Sequence, residues 1–405
     1  MVKAFIYRLL QRRHFWRYAS FSEVAELYAS RMLRMAAIYI AGSFMSIYLY
    51  QNGYSVAHIG IFWAAFYLFK SIIALPTAVL VGWVGPKHAV LVSNILYIPA
   101  MVCFALLPNF GWWLLIPTLI LQGISATMYS IAYNIDFSKV KSADHAGKEI
   151  GYMNIAEKIT TGLSPLVGGL IAFIWGPQVV IIVAGVLFAF AAAPLFRTGE
   201  PVTTRRMLQF RGFPWRLVLH HSLAQLSVGF DVFASGTVWT LYVATIILGL
   251  SGGNKVYALS GLLLSVIFIV ALLASYVYGR LIDRRRGGEL MRVGAVVNAL
   301  THLSRPFVVS PITVAGLNAA NEAATTAYTL PYTRAVFDNA DLSGSRATYM
   351  GLIEVLSNFG AFVSAVALGL IAMSFGEVTA LKSFFFIAAG AALLVLTARF
   401  PLYKK

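Results

Sequence analysis

Gly169-Leu170-Ile171-Ala172, followed by Gly176, returns two hundred positions later as Gly369-Leu370-Ile371-Ala372, followed by Gly376. In the same register Gly151 meets Gly351 and Gln122 meets Glu322, while Gly60 meets Gly261 at a shift of 201. Gly/Ala-rich helices can match by chance, but two tetrapeptides each followed by glycine at the same spacing are harder to dismiss. Both copies lie in long apolar stretches. Two repeated halves related by an axis along the membrane normal are a transporter device, with the solute held between them near mid-membrane.

The surrounding composition agrees. Of 405 residues, 59% are hydrophobic and 11% charged, and the mean hydropathy is +0.77. Soluble domains carry about 25% charged residues, so this chain belongs to the membrane class. A helix needs ~20 apolar residues to cross the hydrocarbon core. Reading for such stretches gives twelve spans: 28–50, 59–83, 88–108, 112–134, 149–174 and 178–196, then 216–249, 255–281, 289–309, 312–336, 347–374 and 380–399. Breakers separate them, among them Gly85-Pro86, Gly176-Pro177 and Gly252-Gly253. Unbroken apolar runs exclude a β-barrel, whose strands must alternate. The single cysteine, Cys103, excludes disulfides, and no Asn-x-Ser/Thr acceptor occurs.

The net charge of +16 could suggest nucleic acid, but its placement says otherwise. Of the 31 Lys and Arg, only Lys255, Arg305 and Lys382 fall on one side of the expected topology. Arg31, Arg34, Lys70 and Lys158 lie within spans, and all the others fall on the opposite side. That is the positive-inside bias. It sets both termini in the cytoplasm and implies no nucleic-acid partner. The expected organisation is a basic amphipathic arm over 1–27, a six-helix bundle over 28–196, a cytoplasmic linker over 197–215, a second six-helix bundle over 216–399 and a tail over 400–405. The arm interleaves Lys3, Arg8, Arg12, Arg13 and Arg17 with Phe5, Leu9, Phe15 and Trp16, a pattern suited to an anionic leaflet.

Gly279-Arg280-Leu281-Ile282-Asp283-Arg284-Arg285-Arg286 sits between spans eight and nine. It resembles the G-x-L-x-D-R-x-G-R-R loop of the major facilitator superfamily, and the resemblance extends over nearly the whole chain. A second stretch, Gly151 followed by Ser164-Pro165-Leu166-Val167-Gly168-Gly169, is similar to the span-five signature of family antiporters, although Thr160 and Ser164 replace two glycines. The resemblance implies an all-α integral membrane protein with twelve transmembrane helices in two pseudo-symmetric bundles, acting as a monomer. It implies a gating loop of Gly279, Asp283 and Arg284, with Arg284 pairing across the contact between the halves. It also implies a close-packing motif of Gly151, Pro165, Gly168 and Gly169, which tilts the expectation towards export. The corresponding first-half loop, Gly82-Trp83-Val84-Gly85-Pro86, carries glycine where the acid would stand, so the first gate is degenerate.

A charge at bilayer depth costs at least ~2.5–3.5 kcal/mol, so each embedded one needs a reason. The candidates are the acids Glu157, Asp231, Glu322 and Glu354 and the bases Arg31, Arg34, Lys70 and Lys158. Arg34 and Lys70 in the first half face Asp231 and Glu322 in the second, which suggests pairing between halves. A carboxylate neutralised by a proton would release such a pair, and Glu322 is the first choice for that role, Asp231 the second. Glu157, Lys158 and Glu354 lie about two turns from the cytoplasmic ends, where snorkelling explains them nearly as well. Spans three, six and twelve carry no interior charge and span nine only towards its ends, which suits the lipid-facing helices of the resembled fold. Gln122, Asn318, Asn321, Tyr129 and Tyr328 are the candidate substrate contacts, with Tyr133 and Tyr332 read as interface residues.

The function expected is secondary transport of a small organic solute by alternating access, coupled to protons, in a bacterial inner membrane. The expected partners are the solute, the proton and the lipid bilayer, with no cofactor and no metal. No G-x-x-x-x-G-K-Ser/Thr loop is present for nucleotide-driven transport. Enzymatic chemistry would need clustered catalytic groups, and no embedded acid stands at ligand spacing from His220-His221. The alternatives are a uniporter without proton coupling, or a transporter-fold receptor or scaffold.

Overall fold

The computed structural model describes residues 21–140, 146–196, 208–249 and 253–403, and no strand occurs among them. Helical stretches follow one another with short turns. In the first half they are α1 (Tyr28–Gln51), α2 (Val56–Val84), α3 (Pro86–Ala105), α4 (Leu115–Val140), α5 (Ala146–Trp175) and α6 (Pro177–Ala192). In the second they are α7 (Ser222–Ile247), α8 (Lys255–Asp283), α9 (Gly287–Ser304), α10 (Pro311–Leu342), α11 (Arg346–Phe375) and α12 (Glu377–Leu393). The amphipathic arm falls largely outside the described residues, as do 197–207 of the linker.

Local chemistry sets the boundaries. Ser55 caps α2 by accepting from the His58 amide at 3.3 Å. Ser310 and Thr313 form a reciprocal capping box at the start of α10, with Pro311 in the first turn. Gly85 and Gly176 hold φ of 93° before Pro86 and Pro177, so each Gly-Pro pair ends one helix and begins the next.

Among the described residues ten helices are long and apolar enough to cross a membrane, which makes this a multi-pass membrane protein. Gly287–Ser304 and Pro311–Leu342 are not among the ten, so apolarity alone does not give the twelve spans expected. Several of their polar residues are turned inward. Asn298 and His302 of α9 and Asn318, Glu322 and Asn339 of α10 are all buried. Conversely, large apolar side chains such as Ile72, Trp83, Ile174, Leu273 and Ile312 lie on the outer surface. A bundle surrounded by hydrocarbon inverts the soluble pattern in this way.

In the first half α3 packs on α4 and α6, α1 on α5 and α6, and α2 on α4. In the second, α9 packs on α10 and α12, α7 on α11, and α8 on α10. The halves meet along α2–α11 and along α5–α8. The repeated glycines sit in these two seams. A Cβ on Gly60 would come within 2.9 Å of the Gly369 Cα, and one on Gly169 within 2.4 Å of the Tyr257 carbonyl oxygen. Gly261 meets the Pro165 carbonyl, and Gly168 presses on the Ile40 carbonyl of α1. Gly151 lies within α5, and its surroundings are outside the described residues. The repeat first seen in the sequence thus marks equivalent positions in two equivalent seams, where small residues let backbones approach.

The tightest approach is within the second half. A Cβ on Gly229 of α7 would lie 1.8 Å from the Ser357 carbonyl oxygen of α11. Gly229→Ala is therefore expected to cost about 1–3 kcal/mol or more by forcing two backbones apart. Gly390→Ala, where nothing stands within 4 Å, should be silent. Thermal unfolding of both variants in detergent checks this, and equal midpoints would show that α7 and α11 can separate freely.

Candidate functional site

Between the halves lies a cavity of about 640 Å³. Its walls come from α1, α2, α3, α4 and α5 on one side and α7, α8, α10 and α11 on the other. Of the residues expected to serve the site, Lys70, Gln122, Asn318, Asn321, Glu322 and Glu354 line it. Arg34, Asp231, Glu157, Tyr129 and Tyr328 are not part of its lining. Lys158, read above as a snorkelling side chain, does line it.

Among the described residues two ion pairs join the halves across this cavity. Lys158 Nζ of α5 stands 2.7 Å from Glu322 Oε1 of α10, which also accepts from Thr326 Oγ1 at 3.0 Å. Lys70 Nζ of α2 stands 3.8 Å from Glu354 Oε1 of α11. Glu354 accepts from Ser130 Oγ of α4 at 2.7 Å and from Asn358 Nδ2 at 2.9 Å. The acids and bases that face each other between the halves are not the set expected. Lys158 takes the place expected of Arg34, and Glu354 the place expected of Asp231. Lys158 and Glu354 are held by opposite charges within reach, so snorkelling does not describe them.

Arg34 is 1% exposed, inside the first half. Its guanidinium donates to Asn94 Oδ1 at 2.6 Å and Ser125 Oγ at 3.2 Å and lies 4.0 Å from the centre of the Tyr129 ring. Arg31 pairs with Glu157 at 2.6 Å and covers the Tyr133 ring at 3.7 Å. Tyr133 is therefore interior and not an interfacial belt residue. Tyr332 is also buried, donating to Gln225 Oε1 at 2.9 Å. A sequence shows how far along a helix a tyrosine lies but not which face it occupies, and the belt reading failed for that reason.

Asp231 belongs to a buried network of α7, α9 and α10. Its Oδ1 is 2.7 Å from His302 Nε2 and accepts from Ser235 Oγ at 2.9 Å. Its Oδ2 accepts from Tyr328 OH at 2.6 Å and Asn298 Nδ2 at 3.2 Å. Arg305 Nη1 lies 2.9 Å from His302 Nδ1, and Arg305 Nη2 donates to Ser235 Oγ and Asn321 Oδ1 at 3.1 and 3.0 Å. A guanidinium can only donate, so His302 Nδ1 accepts and Nε2 carries the proton given to Asp231. The network is charge-balanced, with a neutral imidazole between Arg305 and Asp231. It touches the cavity through Ser235 and Asn321.

This network corrects two expectations. Arg305, expected among the bases on one side of the membrane, is buried at 1% exposure. Span nine was read as lipid-facing with charge only at its ends, yet Asn298, Thr301, His302 and Arg305 form one inward stripe. The signal was present in their spacing, since positions i, i+3, i+4 and i+7 share a helix face. Trp239 was also missed. It lines the cavity and donates to Asn318 Oδ1 at 2.6 Å.

The halves are joined at the end remote from the termini. Tyr257 OH donates to Gln51 Oε1 at 2.6 Å, and Tyr50 OH to Glu377 Oε2 at 2.8 Å. At the other end Gly279 is buried and Arg284 exposed, while Asp283 pairs with Arg334 of α10 at 3.6 Å. Among the described residues Arg284 has no partner across the halves, and the loop's acid, Asp283, is engaged within its own half.

Comparison with known proteins accords with this architecture. The chain belongs to the Major Facilitator Superfamily, whose model matches residues 27–320. A relative from Lactococcus lactis subsp. lactis, described as a multi-drug resistance efflux pump PmrA homolog, is 27% identical over 241 residues. That stretch is 56% of this chain and 57% of the relative, so the chain spans little more than half of the relative's length. The solved structure of the human organic anion transporter MFSD10 (TETRAN) is similar with a TM-score of 0.66 at 13% identity, covering 93% of this chain and 99% of that one. The E. coli fucose:proton symporter is similar with a TM-score of 0.64 at 13% identity, over 92% and 97% of the two chains. A POT family transporter in complex with 5-aminolevulinic acid gives 0.67 at 13% identity, over 94% and 97%. At such identity these likenesses concern the fold alone.

Proposed function

We propose that this protein is a secondary transporter that moves a small organic solute by alternating access, coupled to protons and working as an exporter. The observation that carries the reading is the Lys158–Glu322 pair, which ties α5 to α10 across a cavity large enough for a small molecule. A proton on Glu322 would cancel its charge and its attraction for Lys158, loosening the contact between the halves. The joined end at Gln51–Tyr257 and Tyr50–Glu377 would then part as the opposite end closes. Export is supported by the small-residue contacts of Pro165, Gly168 and Gly169 in α5 and by the name of the Lactococcus relative. Transport, rather than catalysis, is what the family and the cavity favour.

In this reading the protein is a monomer in a bacterial inner membrane with both termini in the cytoplasm. It has twelve spans in two bundles, 28–196 and 216–399, with α9 and α10 crossing because their polar faces are turned inward. Purified protein in proteoliposomes with an internal pH-sensitive dye, challenged with pooled solutes, tests the proposal. Solute-dependent proton movement is the expected result. Solute movement without protons would reduce the protein to a uniporter, and solute binding without movement would make it a receptor-like relative.

A further inference from the structure

The cavity contains both acids and bases, and their partners distinguish which sign of substrate it suits. Glu322 is held by Lys158 and Thr326, and Glu354 accepts a hydrogen bond on each of its oxygens. Lys70 is different. Its ammonium has three donors, and among the described residues none of them makes a hydrogen bond; its nearest carboxylate oxygen is 3.8 Å away. The ammonium lies 5.5 Å from the ring centres of both Phe66 and Tyr67, one turn back on the same face of α2, and Trp63 continues that face into the cavity.

A second observation lies opposite on α4. The Gln122 amide nitrogen donates to Tyr97 OH at 2.7 Å, and its carbonyl oxygen is buried with no partner, an acceptor left for a donor on the solute. Gln122 is 4% exposed and lines the same cavity. Behind it Arg34 is buried without a carboxylate in reach among the described residues, 5.5 Å from the centre of the Tyr97 ring. The first-half wall therefore presents Lys70 and Lys158 beside an aromatic surface, with Arg34 behind it, while the acids that face them belong to the second half. Unused donors on a half-buried cation that faces a cavity are the feature an anion satisfies.

We infer that the cavity takes a flat organic anion, its carboxylate on the Lys70 ammonium, its ring against Trp63, Phe66 and Tyr67, and a hydroxyl or N–H substituent donating to the Gln122 carbonyl. This substrate class deepens the transport reading and rests on it for its biological role.

The test is equilibrium binding of three probes of one shape to purified protein in nanodiscs: naphthoate, naphthylmethylammonium and naphthylmethanol. Naphthoate is expected to bind most tightly. Lys70→Gln should weaken it about tenfold to a hundredfold, the range of a charge-assisted hydrogen bond, and Lys70→Arg should keep most of the affinity. Glu354→Gln should not weaken it, which separates loss of the ammonium from loss of the Lys70–Glu354 pair. Tighter binding of the cation, binding of none of the three, or unchanged affinity in Lys70→Gln would overturn the inference. Lys70-dependent naphthoate binding with no solute-driven proton movement would keep the anion site and sink proton coupling. Proton movement driven only by cationic solutes would do the reverse.

Discussion

Replacing Glu322 by glutamine is expected to abolish solute-dependent proton movement in proteoliposomes while leaving the protein folded. Glutamine preserves the shape of the side chain and can still accept from Lys158 and Thr326, which now stand at 2.7 and 3.0 Å. What it loses is the ability to take up and release a proton, and with it the change in charge that would make and break the tie between α5 and α10. Exchange of solute down its own gradient should survive, since the cavity wall is otherwise unaltered. Lys158→Gln is the companion test. It removes the partner but leaves the carboxyl group, so solute-dependent proton movement should persist while the timing of the halves is lost. Wild-type proton movement in Glu322→Gln would transfer the coupling role elsewhere and leave the ion pair as packing.

Asp231→Asn is expected to have the largest effect on stability, about 3–5 kcal/mol, because it strands a buried guanidinium. Asp231 accepts from Ser235, Tyr328 and Asn298 and holds His302 at 2.7 Å, and through that imidazole it balances Arg305. With asparagine in its place, Arg305 stays buried at 1% exposure and faces no negative charge. The thermal unfolding midpoint in detergent should fall steeply. Adding Arg305→Met should recover part of the loss, since removing both charges costs less than removing one. Asp231 does not line the cavity, so the fraction of Asp231→Asn that folds should still move protons. A single variant as stable as the wild type would show that charge balance is not what holds α7, α9 and α10 together.

The contrast between these two carboxylates shows where reading the sequence succeeds and where it stops. Both stand deep in apolar spans, and their depth along the helix is legible at 1.5 Å per residue. Depth singled out Glu322, Lys70 and Gln122, and all three line the cavity. Depth could not say that Asp231 turns towards His302 and Arg305 and away from the cavity. A rotation of α7 by half a turn would reverse that, and such a rotation leaves the hydropathy pattern unchanged. The same blindness to azimuth made Lys158 and Glu354 look like snorkelling residues and made Tyr133 and Tyr332 look interfacial. The stripe of Asn298, Thr301, His302 and Arg305 was legible as a helix face, but its meaning depended on knowing that α10 and α7 lie against it.

By itself, the sequence determined that the chain is a helical membrane protein with an internal repeat, because hydrocarbon admits only apolar helices whose backbone groups are satisfied within each segment. It also determined which ionisable residues had to be explained, because each charge at that depth carries a cost no isolated helix can offset. Tertiary structure alone decided the partners. Glycines at 60, 169, 261 and 369 became two equivalent seams, Lys158 found Glu322, and Lys70 was left with unused donors beside an aromatic face. Pairing is a property of distance between helices far apart in the chain. The repeat and the hydropathy fix what each helix must hide, and only packing fixes what it hides it against.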